Sequence, residues 1–338
     1  MKFLLITLIT HLPDPLTGVR PSTTQRFRDV VDNAVLAEEL GFDGYGVGER
    51  HERPFISSSP PVVLSHIAAR TSRIRLFTAV TTLALLDPVR AFEDYATLDH
   101  LSGGRLELII GKGNGAAQRT LYHVTPEDQW DRNRESYELF RQLWRSPRVT
   151  WSGRFRPPLE DAETWPRPLQ QPIRVWHGSA TSRESVDLAA RFGDPLFSAN
   201  VSNPIEPYAE LIRYYRDRWA FYGHDPADAL VGAGTAGYYA APTSQEAVET
   251  WRRSSKPGRR PSSASASNRS SPRSRMRSNA APRWSAAPSR SSRRCSGTTS
   301  SSGTRSSTCT RTRTGSPGNS TGPRSNCSRA PSRPHYAS

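Results

Sequence analysis

After Arg252 the chain contains no Leu, Ile, Val or Phe. Any hydrophobic core is therefore confined to the residues before that point. A segment whose large apolar side chains are Met276, Trp284 and Tyr336 cannot bury enough surface to offset its ordering entropy. Charge divides at the same place. Residues 253–338 carry 18 Lys and Arg and no Asp or Glu, whereas residues 1–252 carry 28 basic and 31 acidic residues. The formal net charge of +15 describes neither part. The expectation is a folded unit over 1–252 and a disordered Arg/Ser/Pro-rich tail over 253–338.

The tail supports two readings. As a basic arm it would bind RNA phosphates, with the folded part as a scaffold. As a displaced reading frame it explains more. If each codon is rebuilt from the last base of one residue and the first two of the next, Ser and Cys supply a middle T, which encodes apolar residues. Residues 287–330 then yield a helix-like QQVIEKVLRHHELFG and a strand-like VLHLHAD. Cys295, Cys309 and Cys327, an odd set without histidine partners at ligand spacing, argue against a zinc site or a closed disulfide framework.

Within residues 1–252, apolar runs alternate with amphipathic stretches. Residues 2–10 read as a strand buried on both faces. A helix opens at Thr24, with Phe27, Val30, Val31, Ala34 and Glu38 on one face and Gly41 as its C-cap. Further strands are expected at 42–48, 74–82, 105–110, 173–177, 194–199 and 230–240, and helices at 62–70, 88–101, 131–144, 183–192 and 207–222. The alternation means βαβ units and a parallel sheet. No GxGxxG follows the first strand, which argues against a doubly wound dinucleotide fold. The expected class is α/β, a (β/α)8 TIM barrel, whose last unit nothing after residue 252 can supply.

Active sites of such barrels gather at the C-terminal ends of the strands. Four segments fall there. In 48–54, His51 is a general acid/base or hydrogen-bond donor, or else a structural cap. In 78–82, small and hydroxyl side chains let a planar ligand lie against the backbone, or form ordinary core. In 111–115, glycines and Lys112 offer N–H groups and a cation to an anion, or make a flexible loop. In 178–185, hydroxyl residues open a helix, an ordinary N-cap and equally a phosphate site. Two anion-friendly loops on one face favour a phosphorylated cofactor. No metal is expected.

The segments AEELGFDGYGVGERHE (37–52), TAVTTLALLDPVRAFEDYATLDHLSGGRLELIIGKGNG (78–115) and GSATSRESVDLAARFGD (178–194) together resemble the bacterial-luciferase-like family of flavin-dependent monooxygenases. The resemblance spans 1–252 and implies the TIM barrel. It also implies reduced FMN, supplied by a separate NAD(P)H:flavin reductase, and a small organic substrate oxidised with O2. A deazaflavin is the alternative, and the intact family form is a homodimer. The catalytic residues it implies are His51 and Glu52; Glu52 stands in the place of a second histidine, which argues against a luciferase-type aldehyde reaction. Ala79, Val80 and Thr81 would lie beneath the isoalloxazine, with a cis peptide between Ala79 and Val80. Lys112, Gly113 and Asn114 would approach the flavin phosphate, opposite Gly178, Ser179, Ala180, Thr181 and Ser182 at the phosphate-binding helix start. Gly111 replaces the reactive cysteine of luciferase.

Residues 115–172 carry no motif and are expected to shape the substrate pocket. Seven strands would leave an open edge, so poor stability or lost activity is expected. The opening Met1-Lys2-Phe3-Leu4-Leu5-Ile6 lacks a signal peptide's length, and no apolar run is long enough to span a bilayer. A cytoplasmic enzyme is expected, without a membrane or nucleic-acid partner.

Overall fold

A computed structural model describes residues 1–254, apart from 16, 201–203, 236 and 238. Of the two units into which the chain divides, Met1–Ser271 and Pro272–Ser338, only the first contains described residues. The expected disorder from residue 255 onward, and the displaced-frame segments, lie outside the described residues.

The strands are β1 (Leu4–Thr7), β2 (Gly44–Val47), β3 (Arg75–Thr82), β4 (Leu106–Gly111), β5 (Arg148–Trp151), β6 (Leu159–Glu163), β7 (Val175–Ser179), β8 (Leu196–Asn200) and β9 (Val231–Thr235). Seven of them form one sheet in the order β1-β2-β3-β4-β7-β8-β9. Every neighbouring pair in it is parallel. The helices are α1 (Thr23–Glu39), α2 (Pro60–Ala68), α3 (Pro88–Ser102), α4 (Ala116–Leu121), α5 (Gln129–Arg145), α6 (Arg183–Phe192), α7 (Ile205–Phe221) and α8 (Ser244–Ser254). The sheet runs in chain order with crossover helices, the arrangement of a TIM barrel's βα units.

Local chemistry sets the element ends. Asp87 caps α3 by accepting from the N–H groups of Val89 and Arg90, Pro88 occupies its first turn, and Gly103 ends it in the left-handed conformation. The turn into β3 is tied from two sides. The Glu38 carboxylate accepts N–H bonds from Ser72, Arg73 and Ile74. Arg105 donates to the carbonyls of Ala68, Thr71 and Ile74. Burial raises the Glu38 pKa, but the Ile74, Arg73 and Ser72 amides and the Arg73 charge outweigh it and hold the carboxyl at about 2.

The main core packs α1, α2, α3 and α5 against β2, β3 and β4, with Tyr95, Tyr137, Phe92 and Phe140 fully buried. A smaller cluster joins α6 and α7 through Val186, Leu196, Leu211, Tyr215 and Trp219.

Several expectations shift. β1 is four residues long, and beyond it Thr10 bridges to Phe55. Leu40 caps α1, with Gly41 following at φ 81°. β7 runs on to Ser179, so Gly178 and Ser179 belong to the strand rather than to the loop after it. The motif-free segment holds α4 and the antiparallel β5–β6 hairpin. Helix α8 crosses the expected boundary at residue 252. Its start, Thr243-Ser244-Gln245-Glu246, has capping-box spacing, and Thr243 Oγ1 accepts from the Glu246 amide at 3.2 Å.

Candidate functional site

The ladder between β3 and β4 slips at one residue. Ala79 pairs with Ile109 and Thr81 with Ile110, so Val80 has no partner in β4. The Ala79–Val80 peptide is cis, the conformation the resemblance implies there. Three glycines make room for it. A Cβ on Gly48 would sit 2.6 Å from the Ala79 carbonyl oxygen. One on Gly178 would lie 2.9 Å from Val80 Cγ1, and one on Gly111 3.1 Å from Val80 Cγ2. Gly111 thus stands where a larger side chain would press on Val80. Thr81 turns away from this surface: its buried hydroxyl donates to Tyr95 Oη at 2.7 Å.

Beside the bulge, at the end of β2, stands the histidine. His51 Nε2 lies 3.0 Å from Glu49 Oε1, and His51 Nδ1 lies 3.3 Å from the Tyr122 hydroxyl. With a carboxylate on Nε2, that nitrogen carries the proton and Nδ1 accepts from Tyr122. Glu49 is buried and its other oxygen accepts from the Thr82 amide at 3.1 Å, which fixes the carboxylate to β3. The carboxylate that holds His51 is therefore Glu49. Glu52 turns instead to Arg50, 3.1 Å away, and its Oε2 is buried without a hydrogen bond among the described residues. Burial, and secondarily the Glu49 charge, raise the Tyr122 pKa.

After β4, Gln129 on α5 donates to the carbonyls of Lys112 and Gly113 at 2.6 and 3.1 Å and holds that loop. The Lys112 ammonium lies over the Trp130 ring, 5.1 Å from its centroid. Burial lowers its pKa, Arg119 adds to this, and Glu184 in the first turn of α6 opposes it. Lys112 thus interacts electrostatically with the start of α6. Asn114 is exposed at the end of the same loop.

At that helix start Ser179 Oγ bonds the Ser182 carbonyl and amide, at 3.0 and 3.1 Å. Ser182 Oγ caps the Ser185 amide at 3.2 Å and donates to Glu184 at 2.8 Å. Ala180 is half-buried and Thr181 exposed. A helix N-terminus with hydroxyls, in electrostatic reach of a cation, fits a phosphate; Glu184 in the same place works against one. The structure thus brings His51, Ala79 and Val80 to one end of the sheet, and links Lys112 to the start of α6 through the charge of Glu184. It turns Thr81 into the core. Sequence reasoning missed Glu49, Tyr122 and Gln129; only Glu49, two residues before His51, carried a local signal. Among the described residues no cluster of His, Cys, Asp and Glu could hold a metal, and no helix is long and apolar enough to cross a membrane.

A parallel sheet running in chain order with crossover helices, and a polar cluster at one end of its strands, have the arrangement of a TIM barrel's βα units and its site-bearing face. The chain belongs to the luciferase-like monooxygenase family, whose model matches residues 1–309. It is similar to the monooxygenase RslO1 from Streptomyces bottropensis, with a TM-score of 0.66 and 26% identity, over 75% of this chain and 77% of that one. It shares its fold with the FMN-bound oxygenating constituent of 3,6-diketocamphane monooxygenase from Pseudomonas putida, at a TM-score of 0.58 and 18% identity, covering 68% and 66% of the two chains. An F420-dependent glucose-6-phosphate dehydrogenase of Kineococcus radiotolerans is 35% identical over 155 residues, 44% of this chain and 45% of that protein. An uncharacterized protein of Sinorhizobium fredii is 38% identical over 130 residues, 37% of this chain and 38% of that one. The matches span between 38% and 60% of these and other curated relatives. The family is one of flavin- and F420-dependent oxidoreductases.

Proposed function

We propose that the chain binds FMN and, with the flavin reduced by a separate reductase, oxygenates a small organic substrate with O2. The observation that carries this reading is the Val80 bulge, cleared by Gly48, Gly111 and Gly178, directly beside the Glu49–His51–Tyr122 chain. Backbone kept free of side chains offers a flat seat for a planar ring, and a carboxylate-oriented imidazole stands at its edge. Bound reduced flavin would supply the electrons that activate O2; the protein's share is binding, orientation and exclusion of water. In this reading Lys112, Gly113 and Asn114 face the flavin phosphate across from Gly178, Ser179, Ala180, Thr181 and Ser182. Ala79 and Val80 support the ring. Thr81 acts through its backbone. His51 holds a proton at Nε2 that Glu49 orients, and Glu52 braces the wall through Arg50.

The likeness to a monooxygenase at 26% identity supports an oxygenase. A second reading, a deazaflavin-dependent dehydrogenase, is favoured by the 35% identical F420-dependent relative. Titrating the full-length chain with FMN and with F420, followed by flavin fluorescence, separates the two. Tighter binding of FMN, with O2 uptake once the flavin is reduced, is expected. Tighter binding of F420 would overturn the oxygenase reading.

We also propose that the in-frame part of the enzyme ends near residue 252, short of the residue 309 to which the family model matches, and that the residues beyond it are read out of frame. Peptide mass mapping of the protein from its natural source tests this. Recovery of the Arg/Ser-rich peptides would contradict it.

A further inference from the structure

A cavity of about 230 Å³ lies between the β3–α3 loop, Tyr122, helix α5 and the chain around the β5–β6 hairpin. Its walls are mixed, with Leu85, Leu139, Trp151 and Phe155 on the apolar side and Asp87, Arg132, Glu135 and Arg156 on the polar one. Its polar groups are unevenly satisfied. Arg132 Nε, Arg156 Nη1 and Trp151 Nε1 are all buried, and none has a hydrogen-bond partner among the described residues. No lining acceptor is left in that state.

The counter-charges are already committed. Asp87 holds Arg156 through Nε at 3.1 Å. Glu135 receives the amides of Arg154 and Phe155 at 2.8 and 2.9 Å. Arg132 stacks on the Phe155 ring at 4.7 Å and has no ion pair among the described residues. A buried donor without an acceptor gives up its hydrogen bonds to water without replacement, and a charged one loses more. Three of them around one cavity call for a ligand that accepts at one end, and the unmatched guanidinium calls for that end to be an anion. The apolar wall calls for a carbon body.

Tyr122 closes one side of the cavity and its hydroxyl touches His51. A ligand seated here lies one side chain from the proposed redox site. We infer that this cavity receives the carboxylate of a small organic acid, with Arg132 as its counter-ion and the acid's body directed toward Tyr122. The cavity is compact beside the roughly 300–1,000 Å³ of ordinary ligand pockets, so the acid is small. That the acid is the substrate rests on the reading proposed above; that it binds does not.

The test uses the full-length chain without flavin, so its failure and a failure of the FMN reading are distinguishable. Phenylacetate and its neutral counterpart phenylacetamide are titrated calorimetrically against the native protein and against Arg132→Gln. The native chain is expected to bind the acid at least about tenfold more tightly than the amide, the worth of one charge-assisted hydrogen bond. Arg132→Gln is expected to abolish the preference while retaining amide binding. Equal affinity for acid and amide in the native chain, or no binding of either, overturns the inference without recourse to any variant. An acid preference that survives in Arg132→Gln overturns the assignment to this cavity.

Discussion

β4 and β9 are short strands of one parallel sheet, yet every residue of β4 is buried and none of β9 is. β4 reads LELIIG and lies between β3 and β7; β9 reads VGAGT and pairs only with β8 among the described strands. Gly232 and Gly234 of β9 pack under Phe197, whose ring occupies the space a side chain there would need. β1, at the other end of the sheet, is likewise half-exposed, with Phe3 beside it and Ile6 within it open to solvent. A strand of a parallel sheet gains its stability from cover on both faces and both edges. Among the described residues, the interior strands have a neighbour on both edges and the two edge strands do not. The proposed site leans mainly on the better-covered half.

The sharpest way to break this contrast is to truncate matched aliphatic side chains. Leu76→Ala, at a fully buried position in β3, should cost about 2–5 kcal/mol. Ile6→Ala, on β1 with 40% of its surface exposed, should cost less than about 1 kcal/mol. Urea unfolding midpoints compare the two, and similar losses would mean that β1 is covered after all. Next in size is Gly48→Ala. Its Cβ would collide with Leu8 Cδ2 and meet the Ala79 oxygen at 2.6 Å, so about 1–3 kcal/mol of stability should go, together with FMN binding. Loss of stability with flavin affinity intact would separate this glycine from the site.

Glu38→Gln should cost about 1–2 kcal/mol, because three amides lose a charged acceptor. The folded carboxyl, at about 2, lies below the ordinary 4.5, so its contribution is fully present above pH 4.5 and is lost as pH falls toward 2. Melting temperatures of native and variant should therefore differ at neutral pH and converge on acidification through that window. A gap independent of pH would assign the loss to packing. Smallest is Val248→Ser on α8, at a position 53% exposed, which should change stability by less than about 0.5 kcal/mol. A larger loss would show that α8 is covered in solution.

The sheet was legible because its signals are local: apolar runs, amphipathic periods, Asp87 before Pro88, Gly103 and Gly193 after helices. Strand ends were less so, since Gly178 and Ser179 read as loop residues yet pair with Phe197 and Ser198. The site was legible in its backbone and in His51. It was less so in its partners, because Tyr122 reaches His51 across 71 residues and Gln129 reaches Lys112 across 17. Glu52 drew attention through the resemblance, as the residue in the place of a second histidine, but its neighbour Arg50 takes one of its oxygens, while Glu49, buried and bonded to Thr82, is the acid that reaches His51. Thr81 looked available only because its contact with Tyr95 is tertiary.

The proposed flavin site rests on a phosphate held between Lys112 and the start of α6. Its most direct test is the affinity of the full-length chain for FMN against riboflavin, the same ring without the phosphate, in the native protein and in Lys112→Gln. FMN should bind at least about tenfold more tightly than riboflavin, and Lys112→Gln should remove most of that difference while leaving riboflavin affinity unchanged. Equal binding of the two flavins by the native chain would contradict it.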